Sequence, residues 1–184
     1  MKVRLFVALG LLPEVKDELA RIAGALAPFV PGALWVPRDN YHLTLAFLGW
    51  VADERVPEIS DALRQGVAEL REGSARLDDL GAFPSERRAR VVWVGLADPE
   101  GVVEAMAGAV HESMAGIGSP PEERPFRAHV TLARSKTPGL VAFPEDAAPA
   151  PLAVPVGRVT LFRSHLRRPA PRYEALAEFP FRRG

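Results

Sequence analysis

Two stretches of this chain, HLTLA at residues 42–46 and HVTLA at 129–133, place an imidazole and a hydroxyl two positions apart, and they use two of only four histidines. In an extended strand, residues i and i+2 point to the same side. His42 therefore shares a face with Thr44, and His129 with Thr131, while Leu43, Leu45, Val130 and Leu132 turn to an apolar face. A solvated strand surface explains one such pair. It does not explain two, because nothing in folding requires the same polar pair at the same offset in both halves of a chain. Two imidazoles with ordinary pKa values near 6.5 suit a reaction that takes a proton from a nucleophile and gives one to a leaving group, since one ring can be neutral while the other is charged. Phosphodiester hydrolysis is such a reaction. The threonine hydroxyls would then donate to the non-bridging phosphate oxygens and hold the charge that shifts in the transition state. Metal binding is the competing use of two histidines. Threonine is not a usual ligand, however, and no carboxylate stands at a spacing that completes three protein ligands.

The remaining elements must position these two strands. A buried first strand covers Leu5 to Leu12, and Leu12, Val15, Leu19, Ile22 and Leu26 then step by three and four, predicting a helix over 13–29. A strand at 41–48 carries the first motif. Val56, Ile59, Leu63, Val67 and Leu70 predict a second helix over 54–71 with Asp53 as N-cap, followed by strands at 75–83 and 88–97. The order then repeats. Asp98-Pro99 reads as a cap and first turn, Val103, Met106, Val110 and Met114 as a helix ending near Gly116-Ile117-Gly118, and a proline-rich link leads to a strand at 126–134. Ser135 to Pro151 reads as a loop, and strands at 152–166 and 172–181 close the chain. The two histidines lie 87 positions apart (129 − 42), close to half of the 184 residues, as an internal duplication would give.

Composition narrows the class. With 48% hydrophobic residues the chain has enough apolar material to bury one core, and the absence of cysteine excludes disulfides, thiol catalysis and cysteine-based zinc sites. Lys2 and Arg4 followed by eight apolar residues mimic a signal peptide, but Pro13 and Glu14 follow at once and no small-residue cleavage site appears. No run approaches the roughly 18 apolar residues of a membrane span, so the expectation is a cytoplasmic protein without membrane contact. Net charge is zero, against a protein that coats nucleic acid through its overall field. Its distribution is uneven: residues 1–120 carry 12 basic and 17 acidic side chains, and residues 121–184 carry 11 and 6. The C-terminal part can thus present a local face for an anion.

Secondary candidates follow from alternation. Arg134 falls opposite His129 and reaches its face only if the strand ends or bulges first; Arg127 shares that face. Phe47 falls on the core side, one step past Ala46, and Trp35, Trp50 and Trp93 read as packing residues, with stacking on a nucleobase open to any that lines the cleft. His111, on the third helix beside Glu112, reads as exposed. Ser164 and His165 are strand neighbours that face opposite ways and so do not form a nucleophile-base pair.

Taken together, RLFVAL, NYHLTLAFLG, HVTLAR and the ending VTLFRSHLRRPAPRYEAL resemble the 2H phosphoesterase superfamily, in its RNA 2′,3′-cyclic phosphodiesterase (2′-5′ RNA ligase) branch. The resemblance spans nearly the whole chain. It implies one α+β domain over residues 1–184, built of two pseudo-symmetric, interleaved lobes with antiparallel sheets, helices outside and a central cleft. It implies metal-independent opening of a cyclic phosphate on RNA ends or cyclic nucleotides to a 2′-phosphate, with no cofactor and a monomeric enzyme. His42 would give the proton and His129 would activate water, with Thr44 and Thr131 holding the phosphate; the residues themselves do not distinguish acid from base. Arg134 resembles an arginine that neutralises the phosphate, and Ser164 and Tyr173 match positions expected to close the lobe. Tyr41 departs from the branch, which more often has an aliphatic residue or tryptophan there, and this bears only on base stacking. The rival from another class is a nucleotide- or RNA-binding module that kept the cleft without turnover.

Overall fold

The computed structural model describes residues 1–119 and 125–183; residues 120–124 of the proline-rich link lie outside that range. Its strands form one continuous sheet in the order β7-β4-β5-β6-β3-β1-β8-β9, all antiparallel, where β1 is Lys2–Gly10, β3 His42–Ala52, β4 Gly73–Phe83, β5 Ala89–Ala97, β6 His129–Gly139, β7 Ala153–Val156, β8 Arg158–His165 and β9 Arg172–Pro180. A two-residue strand, β2 (Leu34–Trp35), adds to β6. Each motif strand heads a four-stranded lobe, β3-β1-β8-β9 or β6-β5-β4-β7. The lobes interleave, because the C-terminal hairpin β8-β9 returns to the lobe begun by β1. Only one register pair, Leu43 with Val130, joins the two motif strands.

Among the described residues three helices cover the outside. α1 (Pro13–Leu26) buries Val15, Leu19, Ile22 and Leu26 of the stripe its periodicity predicts, and Ala23 besides, while Leu12 before it is exposed; it begins at a proline whose fixed φ and missing N–H suit a first turn. A 3₁₀ turn at Ala27–Phe29 finishes the stretch. α2 (Val56–Gly66) starts later than expected, and Asp53 does not cap it: Asp53–Arg55 is a separate 3₁₀ turn. α3 (Val102–Gly116) follows Gly101, yet Asp98 still performs the capping chemistry, its carboxylate accepting from the N–H groups of Val102, Val103 and Glu104 at 2.8–3.0 Å. Fully buried Leu5, Leu9, Leu19, Leu43, Ile59, Leu63, Met106 and Leu132 sit in the core between sheet and helices. No helix among the described residues is long and apolar enough to cross a membrane.

Further departures from the sequence expectation lie in the strands. β6 runs on to Gly139, so Ser135 to Gly139 belong to a strand, and Val141 and Ala147 beyond it are buried in the core. The strand expected over 152–166 is two strands in different lobes: β7 pairs with β4, the chain turns at Gly157, and β8 pairs with β1.

Candidate active site

Both motif strands begin at their histidine, and both fix the ring in the same way. The Nδ1–H of His42 donates to the carbonyl of Asn40 and that of His129 to the carbonyl of Arg127, each at 2.7 Å. A neutral ring held so keeps its proton on Nδ1 and leaves Nε2 free to exchange one with a substrate. Aromatic walls set the ring planes. His42 packs against Phe6 (4.9 Å between centroids) and the edge of Tyr173 (5.3 Å), with Phe162 stacked behind Phe6 at 5.2 Å. His129 stands edge-on to Phe83 at 5.1 Å and to Trp93 at 6.0 Å. Trp93 reaches that place because residue 81 is glycine: a Cβ there would lie 2.1 Å from the indole.

His42, Thr44, His129, Thr131 and Arg134 line one cleft, together with Val36, Asn40, Phe47 and Tyr173. Its enclosed volume of about 60 Å³ is small beside the hundreds of cubic ångströms of a typical ligand pocket, so it takes a phosphate-sized group and leaves most of a nucleotide outside. Among the described residues the lining has two imidazoles, three hydroxyls, an amide and a guanidinium, and no carboxylate. A larger, open depression of about 440 Å³ beside it, lined by Ala82, Ser85, Glu86, Arg87, Trp93 and Arg127, has no acid-base pair.

Arg134 and Phe47 reach the cleft by one device. Both stand five positions after their histidine, on the wrong face under strict alternation. In β3, Ala8 pairs with Thr44 and Val7 with Ala46, skipping Leu45; in β6, Trp93 pairs with Thr131 and Val92 with Ala133, skipping Leu132. Each strand thus has a one-residue bulge at the same place. Two consecutive residues, Leu45-Ala46 or Leu132-Ala133, then turn into the core, and the next side chain emerges beside the histidine. The bulge realises the condition set for Arg134. It overturns the reading of Phe47 as core: the ring is 49% exposed and faces the cleft.

The other candidates separate. Arg127 does not line the cleft; its guanidinium lies 4.4 Å above the Trp93 ring. Trp93 is buried and Trp35 half-buried, as packing residues are, but Trp50 is 59% exposed. Tyr41, just before β3, is 3% exposed in the core, so stacking on a base is closed to it. Ser164 is buried and accepts from Arg4 Nη1 at 3.2 Å, while His165 pairs with Glu174 at 2.6 Å. His111 is not exposed: it is half-buried, and Nε2–H donates to the carbonyl of Leu45 at 2.8 Å. Val36 and Tyr173 are cleft residues that alternation along the motif strands could not find, because they come from other segments; Asn40, two before His42, also lines the cleft and donates to the carbonyl of Pro171 at 2.8 Å.

Electrostatically, the cleft opposes positive charge on its histidines. Burial pushes His42 from 6.5 down to about 4, with Lys16, Arg134 and His129 acting in the same direction and the Asn40 carbonyl against it. His129 is lowered too, by burial first and then by Arg134 and Arg127. Between about pH 6.5 and 4 the unfolded chain therefore takes up a proton at His42 that the folded chain refuses. Stability from this site is present above pH 6.5 and lost towards pH 4, by on the order of 3 kcal/mol for such a shift. Unfolding free energies of the wild type and His42→Gln are expected to converge or cross as pH falls through this range; a constant difference between them would contradict the buried, neutral ring.

Comparison with known proteins identifies the family. The LigT-like phosphoesterase family matches residues 9–93 and again 94–173, one copy per motif. An RNA 2′,3′-cyclic phosphodiesterase of Thermus thermophilus is 35% identical over 186 residues, covering 98% of this chain and 91% of that protein. One from Geobacillus stearothermophilus is 31% identical over 179 residues, covering 95% of this chain, which spans 56% of that protein's length. The crystal structure of Escherichia coli LigT complexed with 3′-AMP superposes with a TM-score of 0.81 at 30% identity, over 98% of this chain and 99% of that one. With both halves matched and both motif strands bulged alike around one cleft, the chain belongs to the LigT-like phosphoesterase family.

Proposed function

We propose that this protein is a metal-independent RNA 2′,3′-cyclic phosphodiesterase that opens the cyclic phosphate to a 2′-phosphomonoester by two-histidine acid-base catalysis. The observation that carries this is the pair of imidazoles in one phosphate-sized cleft, each with its tautomer set by the same carbonyl contact. The names of the relatives support RNA as substrate. His129 takes a proton from water as the oxygen attacks phosphorus, the P–O3′ bond breaks, and His42 gives its proton to the departing ribose oxygen. Thr44, Thr131 and Arg134 hold the non-bridging oxygens, the guanidinium countering the phosphate charge. All these groups come from one chain, which supports a monomer working as a single catalytic unit. With a 5′-hydroxyl in place of water the same geometry forms a 2′-5′ phosphodiester, so ligation is the accompanying reaction.

A turnover assay with 2′,3′-cyclic AMP in excess EDTA tests this reading. The expected product is 2′-AMP, at the rate seen without chelator. Loss of turnover that zinc or magnesium restores would move the chemistry to a metal. Binding of 2′-AMP with no turnover under either condition would make the protein a nucleotide-binding module.

A further inference from the structure

The two bulges that shape the cleft are secured by different means. A bulged residue has no register partner, so its carbonyl must find a donor outside that ladder. In β6 the donor is backbone: Val36, just after β2, gives its N–H to the carbonyl of Leu132 at 2.8 Å. No strand lies at the equivalent place beside β3 among the described residues. There the donor is a side chain, Nε2–H of His111 on α3, also at 2.8 Å, to the carbonyl of Leu45. The same ring meets Phe126 edge-on at 6.1 Å, three residues before His129. One imidazole thus touches the bulge of the first motif and the approach to the second. Its place is mechanically sensitive, because β3 and β6 are otherwise joined by a single register pair.

We propose that His111 is a positioning residue, whose bond to the Leu45 carbonyl and contact with Phe126 hold the first bulge and set the spacing between His42 and His129. This rests on the reading that those two histidines carry the reaction. Without the bond, the Leu45 carbonyl is an unpaired buried acceptor, and the strand can relieve it by slipping the bulge. Phe47 would then leave the cleft face and Thr44 would shift relative to Thr131. Small misplacements of reacting groups cost rate steeply, up to about a hundredfold per ångström. Substrate affinity is less affected, since the phosphate keeps Arg134 and the β6 groups.

Three substitutions separate donor from ring. His111→Gln places an amide NH₂ near the position of Nε2 and retains the bond. His111→Asn is too short to reach, and His111→Phe keeps a ring against Phe126 with no donor. On 2′,3′-cyclic AMP, Asn and Phe are expected to lower kcat by roughly tenfold to a hundredfold with KM within about threefold, while Gln stays within about threefold of wild type in both. The His42 and Phe47 ring resonances should shift in the Asn and Phe variants and return in Gln, a readout independent of turnover. A Gln variant as slow as Phe, or Asn and Phe variants at the wild-type kcat, would overturn the proposal. Should Phe fail to fold, the Asn and Gln pair decides it. A wild-type protein that does not turn over 2′,3′-cyclic AMP would instead overturn the two-histidine reading, and the resonance shifts would still report on His111.

Discussion

Replacing His42 or His129 by alanine is expected to lower kcat on a 2′,3′-cyclic nucleotide by roughly two to four orders of magnitude each, the range for a positioned acid or base. The double variant is expected to lose far less than the product of the two losses. Protonation of the leaving oxygen and deprotonation of water belong to one displacement at phosphorus, so once either group is gone the other has little to assist, and groups acting as a unit are strongly non-additive. Thr44→Ala and Thr131→Ala should each cost less, because each removes one neutral donor from a cleft that keeps the other and Arg134. The measurement is kcat for the four single variants and the histidine double variant under identical conditions. A His42→Ala enzyme that keeps most of its rate would leave the doubled motif without a catalytic explanation. Independent multiplicative losses would point to two separate steps.

The pH profile is expected to be bell-shaped and displaced to acid in kcat/KM, with limbs of about tenfold per pH unit. Burial holds His42 near 4 and lowers His129 from 6.5, and kcat/KM reports the free enzyme. Above the upper pKa both rings are neutral and the acid is missing; below the lower one both are charged and the base is missing. The maximum should therefore lie between about pH 4 and 6.5, with apparent values belonging to the pair. Binding reverses the cause. A phosphate anion between the rings favours their charged forms and offsets Arg134, so the kcat profile is expected at higher pH than that of kcat/KM, and substrate should bind with proton uptake. Arg134→Gln removes a cation that lowers both histidines and should move the kcat/KM profile upward. A kcat/KM maximum above pH 7, or coincident profiles for kcat and kcat/KM, would contradict this account.

Two periodicities in the amino-acid sequence determine most of the local architecture. Steps of three and four place α1 and α3 and most of α2, because a helix needs only an apolar stripe and a cap. Alternation by two places His42 with Thr44 and His129 with Thr131, because the first residues of each motif strand are regular. Repetition of that pair, 87 positions apart (129 − 42), points to the chemistry, since residue type and offset are local properties.

Alternation fails where a strand must fit its neighbour. Phe47 and Arg134 are displaced by bulges at Leu45 and Leu132, and a one-residue bulge reverses the face of everything after it. Nothing within HLTLAF or HVTLAR marks that phase shift in isolation. It depends on partners far along the chain: Val7, Ala8, Val92 and Trp93 in the ladders, and Val36 and His111 at the freed carbonyls. The same distance effect brings Tyr173 and Val36 into the cleft, splits 152–166 between two lobes at Gly157, and turns His111 inward from a helix face that reads as exposed. The depressed pKa values of both histidines belong to this class as well. An imidazole's ordinary value is intrinsic to the residue, but its desolvation depends on which rings and cations the fold packs around it, and the rings come from β1, β4, β5, β8 and β9.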